Sequence, residues 1–275
     1  MNDVLGYEGK RVVVTGCASG MGAETARLLG ELGAVVIGLD LRPGNVPLAE
    51  MYEVDLRSGS SIESVADAID GPVDAIFSVA GLPGAPFSDL DTVLVNFAGA
   101  RHLIELLVPK MPAGSAIVCV ASNAGLGWQQ EIDTLLPIVS VDGFDALLTS
   151  LEANPGAIEG GYRPSKMLTN AWVAWRAASL LPSGIRLNCT NPGPTQTAMM
   201  STFEEQAGKE LIDAFAGPSG RRSTPTEQAW PLLFLNSPRS SYIAGEALHT
   251  DAGFLGAMVT GQLNVSMAPA DDANG

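Results

Sequence analysis

Residues 11–32 read RVVVTGCASGMGAETARLLGEL, and the order of residue types in this stretch decides the fold. Arg11 to Thr15 carries three consecutive valines, Val12, Val13 and Val14, the mark of a strand buried on both faces. Ala23 to Leu32 puts Ala26, Leu29 and Leu32 on one side of a helix. Between them lie Gly16, Gly20 and Gly22. Glycines in a strand-to-helix turn permit positive φ and close backbone approach. The first amides of the helix, around Ser19, Gly20, Met21 and Gly22, can then meet a pyrophosphate at the positive end of the helix dipole. The segment predicts the opening unit of a Rossmann-like, doubly wound parallel sheet with helices on both faces.

The chain continues in the same alternation. Val35 to Leu39 is a strand ending at Asp40 and Leu41, where an acidic residue accepts a hydrogen bond from an adenosine ribose and repels a 2′-phosphate. This selects NAD, with Arg42 close enough to leave NADP open. Met51 to Val54 is a strand leading to Asp55 and Leu56, Ser58 to Ile69 a helix, and Val73 to Val79 a strand running into Ala80 and Gly81. Asp89 to about Met111 is helical, with Asn96 among apolar positions, and Ser115 to Ala121 is a strand that delivers Ser122 at its C-terminal end. Gly161 to Leu181 is a helix, Ile185 to Cys189 a strand entering Asn191-Pro192-Gly193-Pro194-Thr195, and Ala247 to Thr250 the last strand. Residues 1–275 read as one domain, with a disordered tail from about residue 264 to 275.

Composition narrows the function. A formal net charge of −15 leaves no excess of Lys and Arg to collect phosphate contacts, which argues against nucleic acid and anionic membranes. The start, MNDVLGYEGKR, lacks an apolar signal region, and no apolar run is long enough to span a bilayer. Cys17, Cys119 and Cys189 are odd in number, lie in or beside core segments and lack CxxC spacing. They predict buried free thiols in a reducing cytoplasm, with neither a metal site nor a disulfide.

The stretch GGYRPSKMLTNAW holds the chemistry. Tyr162 and Lys166, four apart, share a helix face. A phenol is a poor base near neutrality, but a neighbouring cation favours its ionised form, so this pair could exchange the proton of an alcohol or ketone oxygen. Ser122 supplies an uncharged group to hold that oxygen. Singly, such residues commonly pack, cap or face solvent. Together, beside a dinucleotide turn, they predict catalysis.

Thr15-Gly16-x-x-x-Gly20-x-Gly22, Asp55, Ala80-Gly81, Asn96, Ser122, Tyr162-x-x-x-Lys166 and Pro192-Gly193, in this order over almost the whole chain, resemble the classical short-chain dehydrogenases/reductases. The resemblance implies a catalytic set of Ser122, Tyr162, Lys166 and Asn96, the last completing a water-linked proton path to Lys166. It also implies that Lys166 holds the nicotinamide ribose, that Thr195 meets the carboxamide, and that residues from about 196 to 222 form a mobile lid. Two departures stand out. Ser78-Val79 replaces the family's usual pair of asparagines before Ala80-Gly81, which removes an amide expected to brace the central strand. Ser122 and Tyr162 are also much further apart than usual, so residues 123–160 hold an insertion like that of the bacterial 3α-hydroxysteroid dehydrogenase/carbonyl reductases.

The insertion shows two apolar sets at helix period: Ile132, Leu135, Leu136 and Val139, then Phe144, Leu147, Leu148 and Leu151. They predict two short helices, with Pro137 limiting the first and six acids, Glu131, Asp133, Asp142, Asp145, Glu152 and Glu159, facing water. Covering the outer face of the Tyr162 helix, the insertion would block the family's common tetramer contact and favour a homodimer, with a homotetramer the alternative. In the lid, Met199, Met200, Phe203, Leu211 and Phe215 make an apolar wall suited to a hydroxysteroid or another hydrophobic carbonyl compound. Two other readings stay open: a dehydrogenase of a terpenoid or dihydrodiol, and a non-catalytic NAD sensor.

Overall fold

The structure is a computed structural model that describes residues 3–263; the expected tail lies outside the described residues. The first half runs β1 (Arg11–Thr15), α1 (Gly20–Glu31), β2 (Val35–Asp40), β3 (Glu50–Glu53), α2 (Gly59–Ala68), β4 (Ala75–Ser78), α3 (Asp89–Val93), a π-helical turn (Leu94–Ala98), α4 (Gly99–Leu107) and β5 (Ala116–Val120). There follow α5 (Ile132–Val139), α6 (Phe144–Ala153), α7 (Tyr162–Leu180), β6 (Arg186–Pro192), α8 (Ala198–Ala207), α9 (Lys209–Ala214), α10 (Pro225–Asn236), β7 (Ala247–Thr250) and α11 (Phe254–Val259).

The described strands form one parallel sheet in the order β3-β2-β1-β4-β5-β6-β7. The chain winds outward from β1 to β3 and then crosses back to β4, so the order reverses between β1 and β4, where open α/β sheets carry ligands beyond the strand ends. Alternation along β1 builds both layers: Val13 points into a core with α2, α4 and α7, while Val12 and Val14 point into one with α1 and α10. All three valines are fully buried.

The insertion belongs to that first core. Leu135, Val139, Phe144, Leu147 and Leu151 bury among its side chains, α5 packs on α7, α6 lies near the π turn, and all six acids are exposed. Pro137, expected to limit the first helix, lies inside its final turn; the chain tolerates the lost amide because only Ile138 and Val139 follow. The expected continuous helix after Asp89 is interrupted by the π turn around Asn96. β6 runs further than expected because Asn191 and Pro192 pair with His249 and Thr250 of β7. At the start of α4, a Cβ on Gly99 would lie 1.8 Å from the Leu56 carbonyl, so only glycine lets the helix approach the β3–α2 connection this closely.

Candidate active site

The β1–α1 turn fits a dinucleotide. A Cβ on Gly16 would stand 2.8 Å from the Ala80 backbone and one on Gly22 2.1 Å from the Gly16 carbonyl, so bare Gly16 lets the turn meet the chain after β4 and bare Gly22 lets α1 pack against the turn. The first turn of α1 carries no acidic side chain, and the Ser19 side chain makes no capping bond, which leaves its amides to an anion. Asp40 accepts a hydrogen bond from the Ala18 amide at 3.0 Å and one from the Arg42 amide at 3.4 Å. This fixes its carboxylate at the end of β2, with Leu41 exposed beside it. Asp55 is gripped by Arg57, whose guanidinium holds its carboxyl below the usual range; Leu56 is buried.

The amide lost at Ser78-Val79 is replaced from two sides. Thr15 Oγ1 accepts from the amides of Val79 (3.0 Å) and Ala80 (3.1 Å). Asn96 clamps Leu82, its Oδ1 accepting from the amide at 2.6 Å and its Nδ2 donating to the carbonyl at 3.0 Å. The same Nδ2 also donates to Ser165 Oγ, and Ser165 donates to the Tyr162 carbonyl at 2.6 Å. Asn96 thus ties the β4 loop to the first turn of α7. Beside it, a cavity of about 10 Å³ is lined by Ser78, Asn96, Arg101, Thr169 and Trp172, and neither Arg101 Nη1 nor Trp172 Nε1 has a protein partner. A polar space of this size holds one water.

Ser122, Tyr162 and Lys166 come together at the ends of β5 and α7. The Ser122 amide donates to Asn191 Oδ1 (3.1 Å), and its hydroxyl oxygen accepts from the Ala124 amide (3.1 Å), which leaves the hydroxyl proton to be donated. The Ser122 hydroxyl lies near the Tyr162 phenol and favours its ionised form. Lys166 is 4% exposed, donates to the Val120 carbonyl at 2.9 Å and stands 5.4 Å from the Tyr162 ring centre. Its pKa is pushed down to about 8 by burial. The adjacent thiols of Cys119 and Cys189 are pushed up by burial, to about 12 for Cys119, and stay neutral. Burial also raises the Tyr162 pKa, and the bond from Ser122 lowers it less. Desolvation, and not the neighbouring cation, sets the direction of the shift.

Gly81 sits over this group, its Cβ direction 3.2 Å from Asn96 Oδ1 and 3.7 Å from Lys166 Nζ. Pro192 ends β6, and the Gly193 amide donates to the Thr250 carbonyl. The Thr195 hydroxyl is engaged with the Gly193 carbonyl (3.0 Å) and Ser223 Oγ (2.9 Å). Sequence reasoning gave no role to Asn191, Thr15 or Ser165, whose hydrogen bonds cross between elements. Of the lid residues, Phe203 packs on Tyr162 and Phe215 on Phe254, whereas Leu211 faces solvent.

Known proteins resemble this chain in sequence and fold. Residues 10–132 match the family described as short chain dehydrogenase, and residues 146–255 match enoyl-(acyl carrier protein) reductase. A coniferyl-alcohol dehydrogenase of Pseudomonas sp. (strain HR199 / DSM 7063) is 31% identical over 245 residues, 89% of this chain and 96% of that protein. A 3-alpha-hydroxysteroid dehydrogenase/carbonyl reductase of Comamonas testosteroni is 28% identical over 249 residues, 88% of this chain and 95% of that protein. The crystal structure of a 3-alpha-hydroxysteroid dehydrogenase from Pseudomonas sp. B-0831 complexed with NADH superimposes with a TM-score of 0.78 at 26% identity, covering 93% of this chain and all of that one. With the glycine cradle, the buried lysine and the serine–tyrosine contact on one sheet edge, this likeness over nearly the full length makes the chain a member of the short-chain dehydrogenase family.

Proposed function

We propose that the chain is an NAD-dependent oxidoreductase that interconverts a secondary alcohol and a ketone, with a hydroxysteroid or another hydrophobic carbonyl compound as substrate. The observation that carries the reading is the convergence of Ser122, Tyr162 and Lys166 at the edge of a glycine cradle. Bound nicotinamide supplies the hydride chemistry. Ser122 holds the substrate oxygen with its free hydroxyl proton, and Tyr162 gives that oxygen a proton in reduction and takes it in oxidation. Lys166 holds the nicotinamide ribose and stabilises the phenolate. Asn96 ties the loop after β4 to the first turn of the Tyr162 helix and completes the proton path to Lys166 through water. Gly16, Ser19, Gly20, Met21, Gly22, Asp40, Leu41, Asp55, Leu56, Ala80, Gly81, Pro192, Gly193 and Thr195 complete the dinucleotide site of one domain spanning the chain. The intact catalytic set sets aside the NAD sensor. Two relatives are named for coniferyl alcohol and a hydroxysteroid, both ring-bearing, which supports a hydrophobic cyclic substrate. Turnover of a panel of hydrophobic cyclic and acyclic alcohols with NAD, read as NADH absorbance, tests the assignment; no turnover of any would refute it.

Asp40 predicts the cofactor preference. A carboxylate already held by the Ala18 amide must desolvate beside a 2′-phosphate, so kcat/KM is higher with NAD than with NADP, and Asp40→Ala narrows the gap. Equal values in the wild-type protein, or preference for NADP, would show that Arg42 governs instead.

We place the enzyme in the cytoplasm as a homodimer. Three buried free thiols suit a reducing compartment, and no described helix is long and apolar enough to cross a membrane. The packing of α5 on part of α7 supports a dimer through another face, where Trp230 and Phe234, four apart on α10, remain 41% and 40% exposed. Replacing both by glutamate is expected to give a monomer by light scattering. A wild-type tetramer with paired α7 helices would overturn this.

A further inference from the structure

We infer that Phe203 is the specificity-determining wall of the substrate site and selects a flat, ring-bearing alcohol or ketone. The inference deepens the reading above and rests on Tyr162 as the proton-exchanging group. The Phe203 ring lies 4.9 Å from the Tyr162 ring at an interplanar angle of 65°, an edge-to-face contact. Ser122 and Lys166 adjoin other parts of the same tyrosine, and a Cβ placed on Gly84 would lie 3.6 Å from the Tyr162 Cβ, so the bare glycine leaves that side of the tyrosine open. A substrate oxygen held between Ser122 and Tyr162 therefore has its carbon body beside Phe203.

Phe203 is held from both sides. Glu204, the next residue, is bonded by Arg222 at 2.6 Å, and Arg222 also bonds Asp213 of α9, so one guanidinium links α8 to α9. Gln206 donates to the Ala85 carbonyl, which ties the lid to the loop carrying Gly84. Phe215 at the end of α9 stacks on Phe254, ring centres 5.2 Å apart. A ring fixed this way presents the same surface to each substrate, and a flat ring satisfies it better than a flexible chain. The wall also sets the protonation of its neighbour. Because Phe203 contributes to burying Tyr162, shortening it hydrates the phenol and eases its ionisation.

The test compares Phe203→Ala, Phe203→Leu and Phe203→Tyr with the wild-type protein on a cyclic secondary alcohol, a fused-ring secondary alcohol and 2-butanol, with NAD. Phe203→Ala is expected to raise KM for the ring-bearing alcohols by about 10-fold or more while 2-butanol changes by less than about 3-fold. It should also move the rising limb of the oxidation pH profile to lower pH. Phe203→Tyr, which keeps an aromatic ring, should restore both, and Phe203→Leu should restore neither fully. KM values that rise equally for all three alcohols, or remain unchanged for all, would overturn the inference. So would a uniform collapse of kcat with NADH binding intact, which marks a structural role. Wild-type turnover of the same alcohols tests the proposed reaction itself, so failure there is separable from failure of the wall.

Discussion

Tyr162→Phe is expected to lower turnover by about 10²-fold or more while NADH affinity and the fold persist. The change removes one hydroxyl whose partner is Ser122 and leaves the ring, its edge contact with Phe203 and the position of Lys166 beside it. Ser122 alone cannot replace the lost group, because its proton has no acid to replenish it. The pH profile gives a second reading. Burial raises the Tyr162 pKa, so near neutrality the phenol is protonated and ready to donate in ketone reduction, while alcohol oxidation needs the phenolate. Oxidation by the wild-type protein should therefore climb with pH above neutrality, and the residual oxidation of the variant should lose that limb. The measurement is kcat in both directions across pH, with NADH dissociation constants by fluorescence. A variant that kept more than about a tenth of wild-type kcat would remove Tyr162 from the mechanism.

The features legible in the sequence were those in which residue type and spacing determine geometry by themselves. Valines in a row and glycines at Gly16 and Gly22 specify a buried strand and a bare turn, and Tyr162 and Lys166 four apart must share a helix face. The insertion helices were readable because Leu135, Val139, Phe144 and Leu147 recur at helix period, and a buried face needs a partner. The π turn was not, since Leu94 to Ala98 has the composition of ordinary helix and its widening depends on Asn96 clamping Leu82 across the fold. Lid orientation was hidden for the same reason. Met199, Met200, Phe203, Leu211 and Phe215 share a pattern, but tertiary contacts decide that Phe203 meets Tyr162 while Leu211 meets water. The sign of the Tyr162 shift also escaped, because spacing shows a nearby cation but not the depth of burial that opposes it.

Lys166→Met should give a protein that is more stable near neutrality and almost inactive. Lys166 is buried, its hydrogen bond runs to the neutral Val120 carbonyl, and the thiols beside it are uncharged, so the ammonium has no anionic partner among the described residues. Its folded pKa of about 8 lies below the unfolded value, so between about 8 and 10.5 the unfolded chain binds the proton that the folded chain has released. Stability from this group therefore rises with pH across that window and is lost as pH falls through about 8. The shift corresponds to about 3 kcal/mol of cost in carrying the charge at pH 7. Methionine fills similar space without it, and replacing a buried charge by an apolar side chain is often stabilising. Chemical denaturation of both proteins at pH 7 and across the alkaline window should show the variant ahead at pH 7 and the difference closing as pH rises. Turnover should fall by about 10²-fold or more, since the tyrosine loses the ammonium beside its ring. That combination separates a residue kept for chemistry from one kept for packing. Lower stability at pH 7 together with retained turnover would mean that Lys166 serves the fold and not the reaction.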